Sequence, residues 1–163
     1  MEKTNILKGA FAGMVGGLVA SFVMNEYQAL LTKLSEEKKD PDQDASEPAT
    51  VKAGEKISEI LFDHRLTEAE KKAADPIVHY AMGGISGMIY GITAEASPRA
   101  SSAIGLPFGT ALWAIADEVM VPALGLSKPS TEYPLSNHAY ALSSHLIYGL
   151  TTDLVRRGVR KLL

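Results

Sequence analysis

The chain has 163 residues, no cysteine and a formal net charge of −3. Without cysteine it has no disulfides, no thiolate metal ligands and no cysteine nucleophile. The acidic balance gives no basic footprint of the kind that nucleic-acid binding needs, which excludes nucleic acid as a partner. The length fits one domain, and we assign residues 1–163 to a single helical membrane domain for the reasons that follow.

Four apolar segments are each long enough to cross a bilayer. About 20 residues, at a rise of 1.5 Å each, cover a hydrocarbon core of roughly 30 Å. We therefore predict an all-α fold, a membrane-embedded bundle of four glycine-rich transmembrane helices with a polar, partly helical loop between helices 1 and 2. The predicted spans are residues 6–31, 76–96, 101–122 and 136–155, and the loop is residues 33–75.

Glycine or another small residue recurs at every fourth position in these segments. Lipid tails are as apolar as leucine, so helices in a bilayer associate through close backbone contact, which small residues at i and i+4 permit. In water each helical glycine costs about 1 kcal/mol relative to alanine. The alternative is a soluble, glycine-rich helical bundle. The glycines that we predict to pack helices together are Gly9, Gly13, Gly17, Gly83, Gly87, Gly91, Gly105, Gly109 and Gly149.

The first segment runs on to Leu31, past the length of a secretory signal, so we predict a retained span. The polar loop follows, with eight Lys/Arg and twelve Asp/Glu. Its first part, Ser35 to Pro48, has the composition of a solvated linker. Its second part is predicted to hold two short surface helices that rest on the membrane, and the alternative is a mobile solvated loop. Val51, Ile57, Ile60 and Leu61 fall on one face of the first, and a capping box of Thr67 and Glu70 opens the second, through Ala74.

Pro76 fits the first turn of the second span, and a tight turn at residues 97–99 predicts that spans 2 and 3 are antiparallel neighbours. Pro122 closes the third span. A basic tail, residues 156–161, follows the fourth and places both termini in the cytoplasm by the positive-inside rule. At this end of the bundle we expect ion pairs among Glu95, Arg99, Asp153 and Arg156.

Ionisable residues cluster near the other ends of the spans. A charge at mid-bilayer costs about 2.5–3.5 kcal/mol, so such residues face the bundle interior or water and are candidates for function. The alternative is that they lie at the membrane interface and are solvated. Adjacent helical residues point about 100° apart, so we expect only Asp117 of the Asp117–Glu118 pair to face the core. The polar cluster that we predict, on one membrane face, is Glu26, His79, Asp117, Glu118, His138 and His145.

Histidine beside carboxylates titrates near physiological pH, so the leading hypothesis is a proton-responsive site. A metal held by His79, His145 and Asp117 is the weaker alternative, because the chain lacks Glu-x-x-His and His-Glu-x-x-His motifs. We predict no cofactor. No nucleophile and base are placed to act together, so we do not predict an enzyme. A membrane assembly or scaffold protein, acting through helix packing as a homo-oligomer, is the other class of function.

Three stretches carry a resemblance to a known family. They are residues 116–126 (ADEVMVPALGL), residues 144–157 (SHLIYGLTTDLVRR) and residues 76–98, which include His79, Tyr90 and Glu95. These stretches resemble the YagU-like inner-membrane proteins, a family of unknown function, over most of the chain outside residues 33–75. The resemblance implies a multi-pass helical protein of the bacterial inner membrane, with the lipid bilayer as its partner, and it implies no reaction.

Overall fold

The computed structural model describes residues 3–34 and 47–163, without the side chains of residues 3, 4, 98–100 and 102. Within those ranges the elements are helical and no strand occurs, as an all-α fold requires. The α-helices are α1 Lys3–Leu34, α2 Ala49–Phe62, α3 Glu68–Ala96, α4 Leu106–Ile115, α5 Val121–Ala123 and α6 Leu135–Leu162. A π-helical segment, Ala116–Met120, joins α4 to α5, and 3₁₀ segments occupy Pro98–Gly105 and Ser130–Glu132.

The capped short helix and the second predicted span are one continuous helix, α3. The predicted capping box is confirmed: the Thr67 hydroxyl accepts from the Glu70 amide, and the Glu70 carboxylate accepts from the Thr67 amide at 2.7 Å. The predicted break before Pro76 is wrong, because α3 runs unbroken through this proline. Proline removes one helical hydrogen bond. The packing of α2 along both sides of this position, with Gly54 against Ala74 and Val78, supports the continuous helix.

The third span was predicted to begin at residue 101, but the α-helix of this segment begins five residues later, at Leu106. Ala103, Ile104 and Gly105 have φ values of 51°, 49° and 78°, which an α-helix does not allow. Glycine adopts this conformation without strain. Gly105 also lies directly against α6, where a Cβ would overlap the carbonyl oxygen of Gly149. The left-handed turn therefore brings α4 into backbone contact with α6.

Helices α1 and α3 pack antiparallel through their glycines. Gly9 faces Gly91, Gly13 faces Gly87 and Gly17 faces Gly83 along the contact. A Cβ on Gly13 would overlap the carbonyl oxygen of Gly87, and a Cβ on Gly87 would lie 2.7 Å from the Cα of Gly17. The two backbones are therefore in direct contact over about two turns.

Helix α6 lies between α1 and α4. Its Thr152 carbonyl is 2.6 Å from where a Cβ on Gly16 of α1 would be, and a Cβ on Gly109 of α4 would overlap the carbonyl of His145. The main partner of α4 is thus α6. Helices α3 and α4, which we predicted to be neighbours, meet through the stacked rings of Tyr90 and Phe108, with centroids 4.4 Å apart.

The bundle buries several polar side chains and exposes many large apolar ones. A small apolar core of Ala20, Met24 and Tyr148 is present, and the Tyr148 hydroxyl donates to the Gly83 carbonyl at 2.6 Å. The largest side chains with under 2% exposure are nevertheless Thr152, Asp153, Ser21 and Ser144, all polar. Many large apolar residues nevertheless expose half or more of their own surface, among them Phe11, Phe22, Ile77, Ile85, Ile89, Ile115 and Val119.

Helix α2 lies beside the N-terminal part of α3. The helix was predicted, but its buried face was not: Val51 and Ser58 are buried, whereas Ile57, Ile60 and Leu61 are exposed, because Gly54 sets the contact with α3. Lys56 Nζ donates to the Leu124 carbonyl at 2.5 Å and ties α2 to the end of α5. Most of the predicted linker, residues 35–46, lies outside the described residues.

Candidate polar site at one end of the bundle

His145 of α6 and Asp117 of the π-helical segment form the first histidine–carboxylate pair. His145 Nδ1 is 3.5 Å from Asp117 Oδ2 and 3.0 Å from the Ala141 carbonyl oxygen. A carbonyl only accepts, so Nδ1 carries a hydrogen. The imidazole is 11% exposed and the carboxylate 36% exposed. A proton on the second ring nitrogen would make this contact an ion pair.

His138 and Glu118 form the second pair, and it is tighter. His138 Nδ1 is 2.7 Å from Glu118 Oε1, and His138 Nε2 is 3.1 Å from the Ser130 carbonyl oxygen. Both ring nitrogens face oxygen acceptors, so the contacts are satisfied together only when both nitrogens carry hydrogen. The geometry suits an imidazolium bound to a carboxylate, a charge-assisted contact. The Ser130 hydroxyl also donates to the Glu118 carbonyl at 2.9 Å.

Both acids belong to the π-helical segment, and both contact α6. We had predicted that only Asp117 of the two would face the core. Each of the two adjacent acids contacts a different histidine of α6, two turns apart. Single π-helical turns are rare and occur frequently at functional sites. Nothing in the local sequence signals this turn. It is the feature of the site that sequence reasoning missed.

The other two members of the predicted cluster are placed apart from these pairs. His79 Nε2 lies 3.5 Å from the Ser21 carbonyl oxygen, and its ring stands edge-on to Tyr80. Glu26 is exposed. Among the described residues, no ion pair or hydrogen bond joins His79 or Glu26 to the two pairs. The structure thus brings four of the six predicted residues together, two by two.

The metal alternative gains no geometric support. Across residues 3–34 and 47–163, no group of three or more His, Asp or Glu side chains is arranged to hold a metal ion. His79, in particular, is engaged with α1 rather than with Asp117. A metal held by His79, His145 and Asp117 stays a prediction.

A second set of charges occupies the opposite end of the bundle, and we call it the charged network. Asp153, with no exposed surface, accepts from Arg156 Nη2 at 3.2 Å and from Arg157 Nε at 2.7 Å. Glu95 lies 3.8 Å from Arg156 and accepts from Arg160 Nε at 2.9 Å.

From the sequence we predicted ion pairs among Glu95, Asp153 and Arg156 in this network, but we did not predict those of Arg157 and Arg160. The spacing of 153, 156, 157 and 160 along α6 is the signal that could have found them. The side chain of Arg99 lies outside the described part. The Tyr90 hydroxyl is buried, faces Asp153 and has no hydrogen bond of ordinary geometry.

Two helices are long and apolar enough to cross a membrane, Asn5–Leu34 and Ala103–Ala123. For the second of these, only 11% of the most apolar window is buried inside the protein. Among the described residues, helices α3 and α6 are long enough to cross a membrane but are more polar than these two. The four-span prediction is therefore supported by two helices.

Comparison with known proteins gives one match. The family model described as a protein of unknown function (DUF1440) matches residues 32–154, about three quarters of the chain. The match includes both histidine–carboxylate pairs and residues 33–75, and it leaves out nearly all of α1. No curated protein and no solved structure matches. The expectation of a family of unknown function is confirmed, while the finer resemblance to YagU-like proteins stays a prediction.

Proposed function

This chain belongs to the DUF1440 family of unknown function, and we propose that it is an integral membrane protein whose helix packing responds to protons. The proposed spans are residues 6–31, 76–96, 101–122 and 136–155, in the bacterial inner membrane with both termini in the cytoplasm. The proton-responsive groups are the pairs Glu118–His138 and Asp117–His145.

The membrane location is carried by one observation, the reversed distribution of polar and apolar side chains. A chain folded in water buries its large apolar side chains and exposes its charges. Here Asp153, Thr152 and Ser144 are buried, while Phe11, Phe22 and Ile85 are at least half exposed. In a bilayer the same arrangement is favourable, because the apolar side chains contact lipid and the polar groups satisfy one another inside.

Helices α3 and α6 belong to the membrane part because α1 and α4 pack against them through backbone contact. If α1 crosses the bilayer, α3 must cross beside it, since their glycines are in contact from Gly9 and Gly91 to Gly17 and Gly83. Helix α6 is held in the same way by Gly16 and Gly109. Its low apolar content follows from its central position, since its polar residues face other helices.

The proton response follows from the two pairs. His138 bridges Glu118 and the Ser130 carbonyl, so it ties α6 to the π-helical segment and to the loop before α6. When the ring loses a proton, one nitrogen faces an acceptor without a hydrogen, and the attraction to Glu118 falls. An unperturbed histidine titrates near 6.5. We therefore expect the contact between the π-helical segment and α6 to loosen as the pH rises above about 6.5.

Cysteine accessibility tests the topology directly, because the chain has no native cysteine. Single cysteines at Glu59, Ser97, Thr131 and Lys161, all exposed, report on four separate segments. In membranes that resist carbonate extraction, an impermeant reagent added outside intact cells should label positions 59 and 131. Positions 97 and 161 should react only after permeabilisation. Labelling of 59 and 161 from the same side contradicts the four-span arrangement.

Thermal unfolding of the detergent-purified protein tests the proton response. Wild type should lose stability as the pH rises above about 6.5, and Glu118→Gln should flatten that dependence because it removes the charged partner of His138. Glu132→Gln is the matched control, since Glu132 is exposed in the adjacent 3₁₀ segment. A pH dependence that is identical in all three proteins contradicts a role for this pair. An oligomer that ignores pH would favour the assembly alternative.

A further inference from the structure

Gly158 differs from the other glycines of the four proposed spans and their flanks. A Cβ at Gly149, two and a half turns earlier in α6, would overlap the carbonyl of Gly105, but a Cβ at Gly158 meets no atom within 4 Å. Packing within the chain therefore does not require glycine at this position. Glycine also lowers helix propensity relative to alanine. The space beside Gly158 is open to a partner from outside.

The surface around this space is cationic. Leu154, Arg157, Gly158 and Lys161 follow one another at helical spacing and are all exposed. Arg157 uses Nε on Asp153 and Nη2 on the Ser101 carbonyl, at 2.6 Å. These contacts hold the guanidinium of the residue that precedes Gly158 in place, and they leave its Nη1 hydrogens for a further acceptor.

Among the side chains that the structure describes at this end, the acids do not neutralise that surface. Glu95 is engaged by Arg156 and Arg160, and Asp153 by Arg156 and Arg157. In this described set two carboxylates serve three guanidinium groups, and Lys161 adds a further positive charge. An anion bound over Gly158 would offset this excess of positive charge.

We propose that this surface binds the phosphate headgroup of an anionic lipid. The inference rests on the proposed membrane location. Leu154 is at the end of the proposed fourth span, and Arg157 and Lys161 follow it by three and seven residues, about 4 and 10 Å along the helix axis. The headgroup region is roughly 5–8 Å deep on each side of the hydrocarbon core, so Arg157 lies within it and Lys161 lies just beyond its outer edge, within reach of its long side chain. An acyl chain lies along Leu154, while the phosphate contacts the two cations over Gly158. Basic groups at the cytoplasmic surface recognise anionic lipids in this way.

Thermal unfolding of the full chain in neutral detergent tests the proposal, with short-chain phosphatidylglycerol, short-chain phosphatidylcholine and inorganic phosphate as the added probes. Phosphatidylglycerol should raise the Tm of wild type by a few degrees, because a ligand that binds only the folded state stabilises it. The other two probes should not. Gly158→Leu should remove the effect by filling the open space, and Lys161→Gln should reduce it.

The Gly158→Leu variant keeps the test decisive, since a Cβ at this position meets no protein atom within 4 Å and we expect the fold to be retained. Lys52→Gln, which removes a charge from α2 at the other end, is the matched control and should respond as wild type does. Equal stabilisation of wild type and Gly158→Leu, an equal effect of inorganic phosphate, or no effect on wild type overturns the lipid site. Release of the chain by carbonate would instead contradict the membrane location itself.

Discussion

Replacing Gly87 by alanine should separate α1 from α3. The new Cβ would overlap the Gly13 carbonyl oxygen and lie 2.7 Å from the Cα and 2.8 Å from the amide nitrogen of Gly17. All three are backbone atoms, so no side-chain rotation relieves the overlap and the helices must move apart. Overpacking of this kind typically costs about 1–3 kcal/mol. It exceeds the gain in helix propensity, about 1 kcal/mol for glycine to alanine.

The matched control is Gly158→Ala, whose Cβ meets nothing. It should stabilise the protein by about 0.5–1 kcal/mol, because only the propensity term remains. Equilibrium unfolding in mixed micelles measures both variants against wild type. If Gly87→Ala is as stable as Gly158→Ala, the contact between the α1 and α3 backbones is not the one described.

Two further predictions concern charged groups. Asp153→Asn should destabilise the bundle by about 3–5 kcal/mol, because the buried Arg156 and its neighbour Arg157 each lose a charged partner. Equilibrium unfolding in micelles measures this loss. A change of less than about 1 kcal/mol would contradict the prediction. Hydrogen bonds from Thr67 hold the pKa of Glu70 at about 2, below its usual 4.5, so the capping box contributes stability above pH 4.5 that is lost as the pH falls through 2. The carboxyl carbon shift of Glu70 should titrate near 2, and in Thr67→Val it should titrate closer to 4.5; equal midpoints would contradict the cap.

Much of the architecture follows from spacing along the chain. The fourfold steps of Gly9, Gly13 and Gly17 predict a helix that packs closely, and the Thr67–Glu70 capping box marks the start of α3. The spacing does not show which glycines contact each other, because any helix face with a small residue at every fourth position can pack against any other such face. The pairing of Gly13 with Gly87 depends on how the whole bundle closes.

The candidate site could be predicted in part. The alternation of spans placed Asp117, Glu118, His138 and His145 at one end, and four such residues form the two pairs. The π-helical turn that lets both acids reach α6 has no local sequence signal, since it depends on packing against α6. The left-handed turn at Ala103–Gly105 was missed for the same reason.

The most direct test of the membrane account is the environment of a spin label at Ile85, an exposed residue of α3 beside the buried Gly84. With the protein in vesicles, the account predicts frequent collisions of the label with oxygen, which concentrates in lipid, and few with a water-soluble nickel chelate. A label at Glu59 should show the opposite. Nickel collisions at Ile85 as frequent as those at Glu59 would place this face in water and contradict the account.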